Sequence, residues 1–585
     1  MRTDDQPLPA GDRPLRLRAE DQLRDLRARQ DRARRGRQQD TAEHRAGLRT
    51  VPGHVEHWAR TAPERAALVF GDEVISYRQL DERTDRLAGW LDARGVRPGD
   101  RVGVQLPNCP QFVIAMLAVL RAGAVHVPVN PMFRAAELSH ELRDAGPEIV
   151  VTHSSLVGLL DEVRAGTAVR DVLVADDSAA WDAAVGHAPL GRTADDLDAL
   201  AALNYTGGTT GMPKGCEHTQ RHMVYTATAL DNGRGPRPSD DGIVSLCFLP
   251  VFWIAGENLG ILAPLVSGGT SVLLPRWDPS AVLAAVARHK VTTMAGTVEN
   301  YLELLAHPDF ARHDLSSLTS PLTVSFIRRL TPELRARWRA AVGADSVLRE
   351  ASYGMTETHT SDTNTLGFQD GDHDLSGDAT FCGLPVPGTD FLILDFATGE
   401  PLPIGEPGEI TVSGPSVLTR YWRAPEATAA ALRDGRLHTG DIGRLDEDGC
   451  LHYLGRDKDM IKVKGMSVFP AEVETLLARH PDVVAAAVVA VEDAETGQRP
   501  HAYIRTVAGS AVTAQELRTW AAASMATYKV PVVEILDELP LTATGKIKKT
   551  ELAERAAAMP TSAPTRPATA TVATPTPGSP RPPAR

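Results

Sequence analysis

From residue 77 to residue 289 the chain alternates two kinds of apolar run, and this alternation limits the fold more than any other feature. Short runs rich in Val, Ile and Leu (101–105, 124–129, 149–152, 172–174, 243–249, 271–274) read as strands. Between them lie longer runs with helical spacing (77–94, 110–122, 135–145, 279–289). A strand that reaches the next strand through a helix must run parallel to it, with the helices packed on the sheet faces. The expected class is therefore α/β: a large layered N-terminal domain with parallel sheets. At 585 residues the chain is also too long for one core. From Ile410 the texture shifts to short strands, turns and glycines, and near Asp457 a small α+β module begins. Pro470 suits the first turn of a helix over 471–479, a strand follows over 483–491, and Thr513 with Glu516 forms a capping box for a helix ending near Met525. The expected organisation is an extension over 1–45, a large domain over 46–456, a small domain over 457–556 and a tail over 557–585.

The ends differ from the middle. Residues 1–45 are rich in Arg, Asp and Gln, and 15–37 reads as a charged helix with too little apolar content for a core. A solvated extension is expected, with contact to a partner or an anionic surface as the alternative. The tail is Pro, Thr, Ala and Ser, a composition of disorder. A net charge of −13 speaks against a general nucleic-acid binder. Five cysteines (Cys109, Cys216, Cys247, Cys382, Cys450) lack C-x-x-C pairing, which fits a reducing compartment and offers no zinc site. No signal-peptide h-region is seen, and the apolar run over 112–120 meets Arg121 before it could span a bilayer. The expected location is the cytoplasm.

The loop Tyr205-Thr206-Gly207-Gly208-Thr209-Thr210-Gly211-Met212-Pro213-Lys214-Gly215 has the chemistry of a polyphosphate cradle. Its glycines let backbone N–H groups turn toward an anion, the threonines add hydroxyl donors and Lys214 adds a cation. It lacks the spacing of a Walker A loop. Four further polar elements follow: Tyr353-Gly354-Met355-Thr356-Glu357, then Thr439-Gly440-Asp441, then the charged segment Gly455-Arg456-Asp457-Lys458-Asp459 with Lys462 and Gly465, then Pro540 to Gly545-Lys546. Each alone is weak, since a Gly/Thr turn or a basic loop is usually just solvated.

In this order and spacing the elements resemble the adenylate-forming (AMP-binding) superfamily of acyl-CoA synthetases, peptide-synthetase adenylation domains and luciferases, over residues 50–555. The resemblance implies ATP and Mg²⁺, with coenzyme A as co-substrate, and a small domain that is mobile. It implies that Thr206, Gly207, Gly208, Thr209, Thr210, Gly211 and Lys214 hold the β- and γ-phosphates, that Thr356 bonds the α-phosphate and that Glu357 holds the metal. Tyr353 would pack on adenine, Asp441 would accept from the ribose and Arg456 would orient that sugar. Lys546 would bond the acid and α-phosphate, and after rotation about Lys458 the face around Lys462 would admit the thiol. A plain solvated strand remains the alternative for the hinge lysines.

Three positions depart from the family pattern, the first in the phosphate loop and the other two on the acid side. Gly207 replaces a serine of the loop. Trp253 stands where histidine is usual in Leu249-Pro250-Val251-Phe252-Trp253-Ile254-Ala255-Gly256. Ser325-Phe326-Ile327-Arg328-Arg329-Leu330 replaces a Ser-Gly-Gly-Ala-Pro-Leu run. Trp253, Phe326, Ile327 and Arg328 are thus expected to crowd or re-shape the acid pocket, unless Trp253 simply packs and the arginines are exposed. The leading expectation is an acyl-CoA synthetase. The alternatives are an unusual small acid such as nitrite, transfer to an amine or a carrier protein, and a catalytically dead scaffold, against which the presence of Lys546, Glu357 and Asp441 argues.

Overall fold

The computed structural model describes residues 15–38, 44–206, 212–233, 242–325, 327–377, 379–464, 466–493, 495–542 and 546–558. The expectations for residues 207–211, Phe326, Gly465, Gly545 and the tail from 559 lie outside the described residues.

Four sheets carry the described residues. The first orders its strands Asp171–Val174, Ile149–Thr152, Arg101–Gln105, Val125–Pro128, Leu200–Tyr205 and Gly215–Thr219, parallel except for the last pair. The second runs Arg349–Glu350, Ser320–Val324, Thr293–Thr297, Val244–Cys247, Thr270–Leu273, Ala66–Phe70 and Glu73–Ser76, parallel except for the final hairpin. Helices Tyr77–Ala93 and Pro110–Arg121 supply residues to one apolar cluster shared with both sheets. Helix Pro110–Arg121 is buried at every position except Gln111. Its terminal Arg121 is tied inside the protein by Asp81 at 2.5 Å and Asp85 at 3.1 Å, so this apolar run is a core helix. Among the described residues no helix is long and apolar enough to cross a membrane.

The helix boundaries follow from local chemistry. Ser76 and Gln79 form a capping box at the start of Tyr77–Ala93. Asp278 caps Pro279–His289, with proline at its first turn. Gly146, left-handed at φ 62°, closes Ala135–Ala145.

The third sheet is antiparallel: Thr363–Asn364, Thr380–Pro385, Leu451–Arg456, Arg436–Leu445, Gly408–Ser413, Asp390–Leu394. The fourth belongs to the small domain: Met466–Val468, Ile461–Val463, Gly497–Thr506 and Val483–Asp493, with Val532–Ile535 parallel to Gly497–Thr506. Helices Pro470–Leu477, Ala514–Ser524 and Lys549–Ala557 accompany it, and the Thr513–Glu516 capping box is present. The turn Asp457–Asp459, which contains Lys458, joins the third sheet to the fourth.

The N-terminal segment corrects an expectation. Residues 15–38 do not lie in solvent: helix Leu15–Arg34 is docked on the third sheet. Ala19, Leu23 and Leu26 pack into that sheet's apolar cluster, and Ala33 joins a neighbouring one. Leu26 is 1% exposed. Arg18 pairs with Glu400 at 2.7 Å, Arg27 with both oxygens of Asp390, and Arg29 with Glu447 at 2.7 Å. Gln22, Gln30, Arg34 and Gln38 donate to the carbonyls of Leu402, Gly449, Pro385 and Asn364. Gly449 is required by this contact, because a Cβ there would meet Gln30 at 2.7 Å. One narrow apolar stripe suffices because the long polar side chains satisfy the sheet's carbonyls and acids. Leu26→Asp places a charge in that seam and is expected to cost on the order of 3 kcal/mol. Thermal melting reads this as a lower midpoint, and an unchanged midpoint contradicts the docking.

Candidate active site

The described ends of the phosphate loop are held by an antiparallel hairpin. Tyr205 faces Gly215, the Thr206 N–H donates to the Lys214 carbonyl at 3.0 Å and the Lys214 N–H donates to Thr206 Oγ1 at 3.3 Å. The Lys214 ammonium sits 5.2 Å from the centre of the Tyr421 ring. The Tyr421 hydroxyl donates to Glu357 Oε1 at 2.9 Å, and the Leu418 N–H donates to the Glu357 carbonyl at 2.7 Å. His218, on the second hairpin strand, contacts the Thr356 carbonyl through Nε2 at 2.8 Å. A carbonyl only accepts, so Nε2 carries the proton. Thr206, Lys214, Thr356 and Glu357 are therefore brought to one corner by bonds between three segments.

Asp441 forms the opposite corner. It stands directly across from Arg456 in the third sheet. Tyr353 donates to its Oδ2 at 2.7 Å, and the Arg456 Nε lies 3.1 Å from Oδ1. The ion pair is not aligned as a hydrogen bond, and Oδ1 is a buried acceptor with no hydrogen-bond donor among the described residues. The Tyr353 ring rests against Phe391 and Tyr453. Burial raises the Asp441 carboxyl above its ordinary range, opposed by the Arg456 charge, the Tyr353 hydrogen bond and the Lys546 charge.

Lys546 comes from the small domain. It keeps solvent access along the seam, yet the protein around its ammonium lowers its pKa, as does Arg456, while Asp441 raises it. The catalytic-lysine candidate thus shares an electrostatic environment with the ribose-site candidates. Its loop is braced by Thr542 N–H to the Lys546 carbonyl at 2.7 Å and Lys546 N–H to Thr542 Oγ1 at 3.1 Å. Lys462 lies elsewhere on the small domain, exposed on strand Ile461–Val463, its ammonium donating to Ser467 at 2.8 Å.

Two expectations about the acid side change. Ile327 does not turn toward an acid pocket; it packs against the small domain's apolar cluster of Val484, Val489, Tyr503 and Leu539, to which Ile547 also belongs. The Arg328 N–H donates to Glu299 at 3.1 Å, and burial lowers the pKa of the Arg328 guanidinium, opposed by the Glu299 charge. The larger residues of this loop are expected to fill the pocket, but Ile327 faces the domain seam. Trp253 is half-buried, edge-on to Phe252 with ring centres 5.4 Å apart, and caps a short helix, Ile254–Glu257.

That helix runs into a π-turn, Asn258–Leu262, a geometry common at functional sites. Asn258 donates to the Ile254 and His359 carbonyls, each at 3.0 Å, and lies 3.2 Å from His359 Nδ1. His359 Nε2 is buried with no hydrogen-bond partner among the described residues. Gly354 is required here, since a Cβ would meet the Thr360 carbonyl oxygen at 1.9 Å. Beneath lies a second polar group that motif reading missed. Buried Glu257 accepts from Asn204 at 3.4 Å and lies 3.9 Å from His126, and burial pushes its carboxyl up to about 8. His126, His218, Tyr421 and Tyr453 also went unnoticed. The available signal was a polar residue interrupting an apolar strand, as His126 does between Val125 and Val127.

His218, His222 and His359 touch in series, and burial is the first cause that keeps all three neutral, with His218 lowered to about 3 and His222 to about 4. Their folded pKa lies below the unfolded value. Stability is therefore full above pH 6.5 and is lost as pH falls toward the folded values, by on the order of 2 kcal/mol per buried histidine at pH 5. Thermal melting at pH 7.5 and pH 5 should show this loss, and His218→Gln should reduce it. An unchanged pH slope in that variant contradicts a neutral buried His218.

Comparison with known proteins agrees with this geometry. The AMP-binding enzyme family model matches residues 55–422, and the model of the AMP-binding enzyme C-terminal domain matches 472–546. A feruloyl-CoA synthase from Amycolatopsis sp is 35% identical, over 85% of this chain and 97% of its own. A long-chain-fatty-acid–CoA ligase of Bacillus subtilis is 32% identical, over 84% of this chain and 92% of its own. The ATP-bound structure of MatB from Rhodopseudomonas palustris superposes with a TM-score of 0.76 at 30% identity, covering 86% of this chain and 99% of that one. The chain belongs to the AMP-binding enzyme family and is an ATP-dependent, acid-activating ligase of the acyl-CoA synthetase type.

Proposed function

We propose that this enzyme activates a hydroxylated aromatic carboxylic acid and passes it to coenzyme A in the cytoplasm. The observation that carries the adenylation roles is the Tyr353–Asp441–Arg456 cluster, whose charges act on Lys546 from the small domain. In the first step a carboxylate oxygen bonds to the α-phosphorus of ATP, the bond to the β-phosphate bridge breaks and pyrophosphate leaves with the electron pair. Residues 207–211 with Thr206 and Lys214 hold the β- and γ-phosphates. Thr356 holds the α-phosphate, and Tyr353 packs on adenine. Asp441, whose Oδ1 is an open buried acceptor, takes the ribose hydroxyls, with Arg456 fixing the carboxylate. Lys546 neutralises charge on the acid and α-phosphate as it redistributes.

Among the described residues no cluster of three or more His, Cys, Asp or Glu could hold a metal alone. Mg²⁺ fits this setting because it is commonly bound through one carboxylate, here Glu357, together with substrate phosphates. When bound it would neutralise phosphate charge.

In the second step the small domain turns about Lys458 and brings the Lys462 face to the site. The thiolate of coenzyme A attacks the acyl carbon, the bond to AMP breaks and the thiol proton goes to solvent. An aromatic acid is supported by the resemblance to feruloyl-CoA synthase. A polar substituent is supported by the unpartnered His359 Nε2, since a buried polar atom without a partner is costly.

Acid-dependent pyrophosphate release should be fastest with ferulate in a panel that also holds palmitate, malonate and nitrite with an aryl amine. The following acyl transfer should require coenzyme A. Full turnover of the best acid without coenzyme A contradicts the acceptor, and a faster non-aromatic acid contradicts the substrate class. Lys546→Ala should lower adenylation by about 10²–10³-fold, as for other removed charge-stabilising donors, and spare thioester formation from supplied acyl-adenylate. Equal loss of both half-reactions contradicts the role of Lys546.

A further inference from the structure

The departure at Ile327 has a geometric consequence. The loop between strand Ser320–Val324 and helix Pro332–Val342 belongs to the large domain, yet Ile327 packs into an apolar cluster made of small-domain residues. That cluster includes Ile547, the residue after Lys546. The 540–548 segment is internally tied by backbone bonds from Thr542 to Lys546 and from Lys548 to Pro540, by the Leu541–Ile547 bridge, and at its end by the Lys549–Glu474 ion pair at 2.7 Å. Seating Ile547 therefore also sets where Lys546 points. Next to the apolar contact, the Arg328 N–H donates to Glu299 at 3.1 Å. A small apolar contact at the seam suits an orientation that must form and release in each cycle.

We propose that Ile327 is a positioning residue that holds the small domain in the adenylating orientation. The proposal rests on the adenylation reading above. Ile327 acts through Ile547 on Lys546 and does not select the acid.

The test uses the full chain with two spin labels, at Arg337→Cys on the large domain and Arg518→Cys on the small domain, both exposed. Four of the five native cysteines are buried and Cys109 is replaced by Ser. Pulsed electron resonance with ATP and Mg²⁺ needs no knowledge of the acid. Ile327→Gly should deplete the adenylating distance by about five- to twentyfold relative to other distances, and Ile327→Val by less than about twofold. With ferulate, Ile327→Gly should lower the maximal rate of pyrophosphate release by a similar factor with KM for ferulate unchanged, and leave thioester formation from feruloyl-adenylate unchanged. An unchanged distance distribution overturns the proposal. So does a raised KM with the maximal rate kept, which marks a pocket residue, or equal loss of both half-reactions. If ferulate is not activated by the parent enzyme, the substrate class fails while the distance measurement still decides the role of Ile327.

Discussion

The Asp441 carboxylate is the group on which the rest of the site depends. It is buried, and burial raises its pKa. Arg456 across the strand pair, the Tyr353 hydroxyl and Lys546 from the other domain oppose that tendency. Arg456 is also the last residue of its strand, directly before the Asp457–Asp459 turn that leads into the small domain. The candidate ribose acceptor and the candidate pivot are therefore consecutive parts of one strand end. On the mechanism proposed above, a rotation about that turn would withdraw Lys546 while Tyr353, Asp441 and Arg456 would stay with the nucleotide.

The phosphate corner is built on a similar economy of parts. One hairpin presents Thr206 and Lys214 at its tip and His218 on its outgoing strand, and His218 reaches the backbone of Thr356. His359, beside His218, is bonded in turn by Asn258 from the helix that Trp253 caps. Loop, phosphate turn and acid-side helix are thus linked through neutral imidazoles and an amide. Such a chain holds geometry without placing fixed charge beside the polyphosphate. Its cost is sensitivity to acid, because each imidazole must stay unprotonated to remain buried.

The strands of the parallel sheets, and the motif order that marks the family, were legible in the sequence, and for physical reasons. Arg101–Gln105, Ile149–Thr152, Ala135–Ala145 and Pro279–His289 carry unbroken apolar periods and their own caps, so local pattern and tertiary structure agree. Tyr353, Glu357, Asp441 and Lys546 stand in motifs whose order is itself informative. Three features were not legible. Helix Leu15–Arg34 has only a thin apolar stripe, and its docking depends on arginines and glutamines finding sheet carbonyls far along the chain. Ile327 was assigned to a pocket because a loop gains bulk there, whereas which side of a loop bulk faces is decided by the neighbouring domain. Glu257, Asn204 and His126 are scattered in sequence and meet only in the folded core.

The central claim is that a carboxylate oxygen of the acid attacks the α-phosphorus of ATP in a site closed by the small domain. Its most direct test is isotopic. Ferulate labelled with ¹⁸O in both carboxylate oxygens, or the acid of the panel that turns over fastest if that is another, is converted with ATP and coenzyme A, and the AMP is analysed by mass. One ¹⁸O per AMP formed is the predicted result, since the bond that breaks in the second step leaves the acid's oxygen on phosphorus. Unlabelled AMP, or label recovered in inorganic phosphate alongside ADP, contradicts the adenylate account.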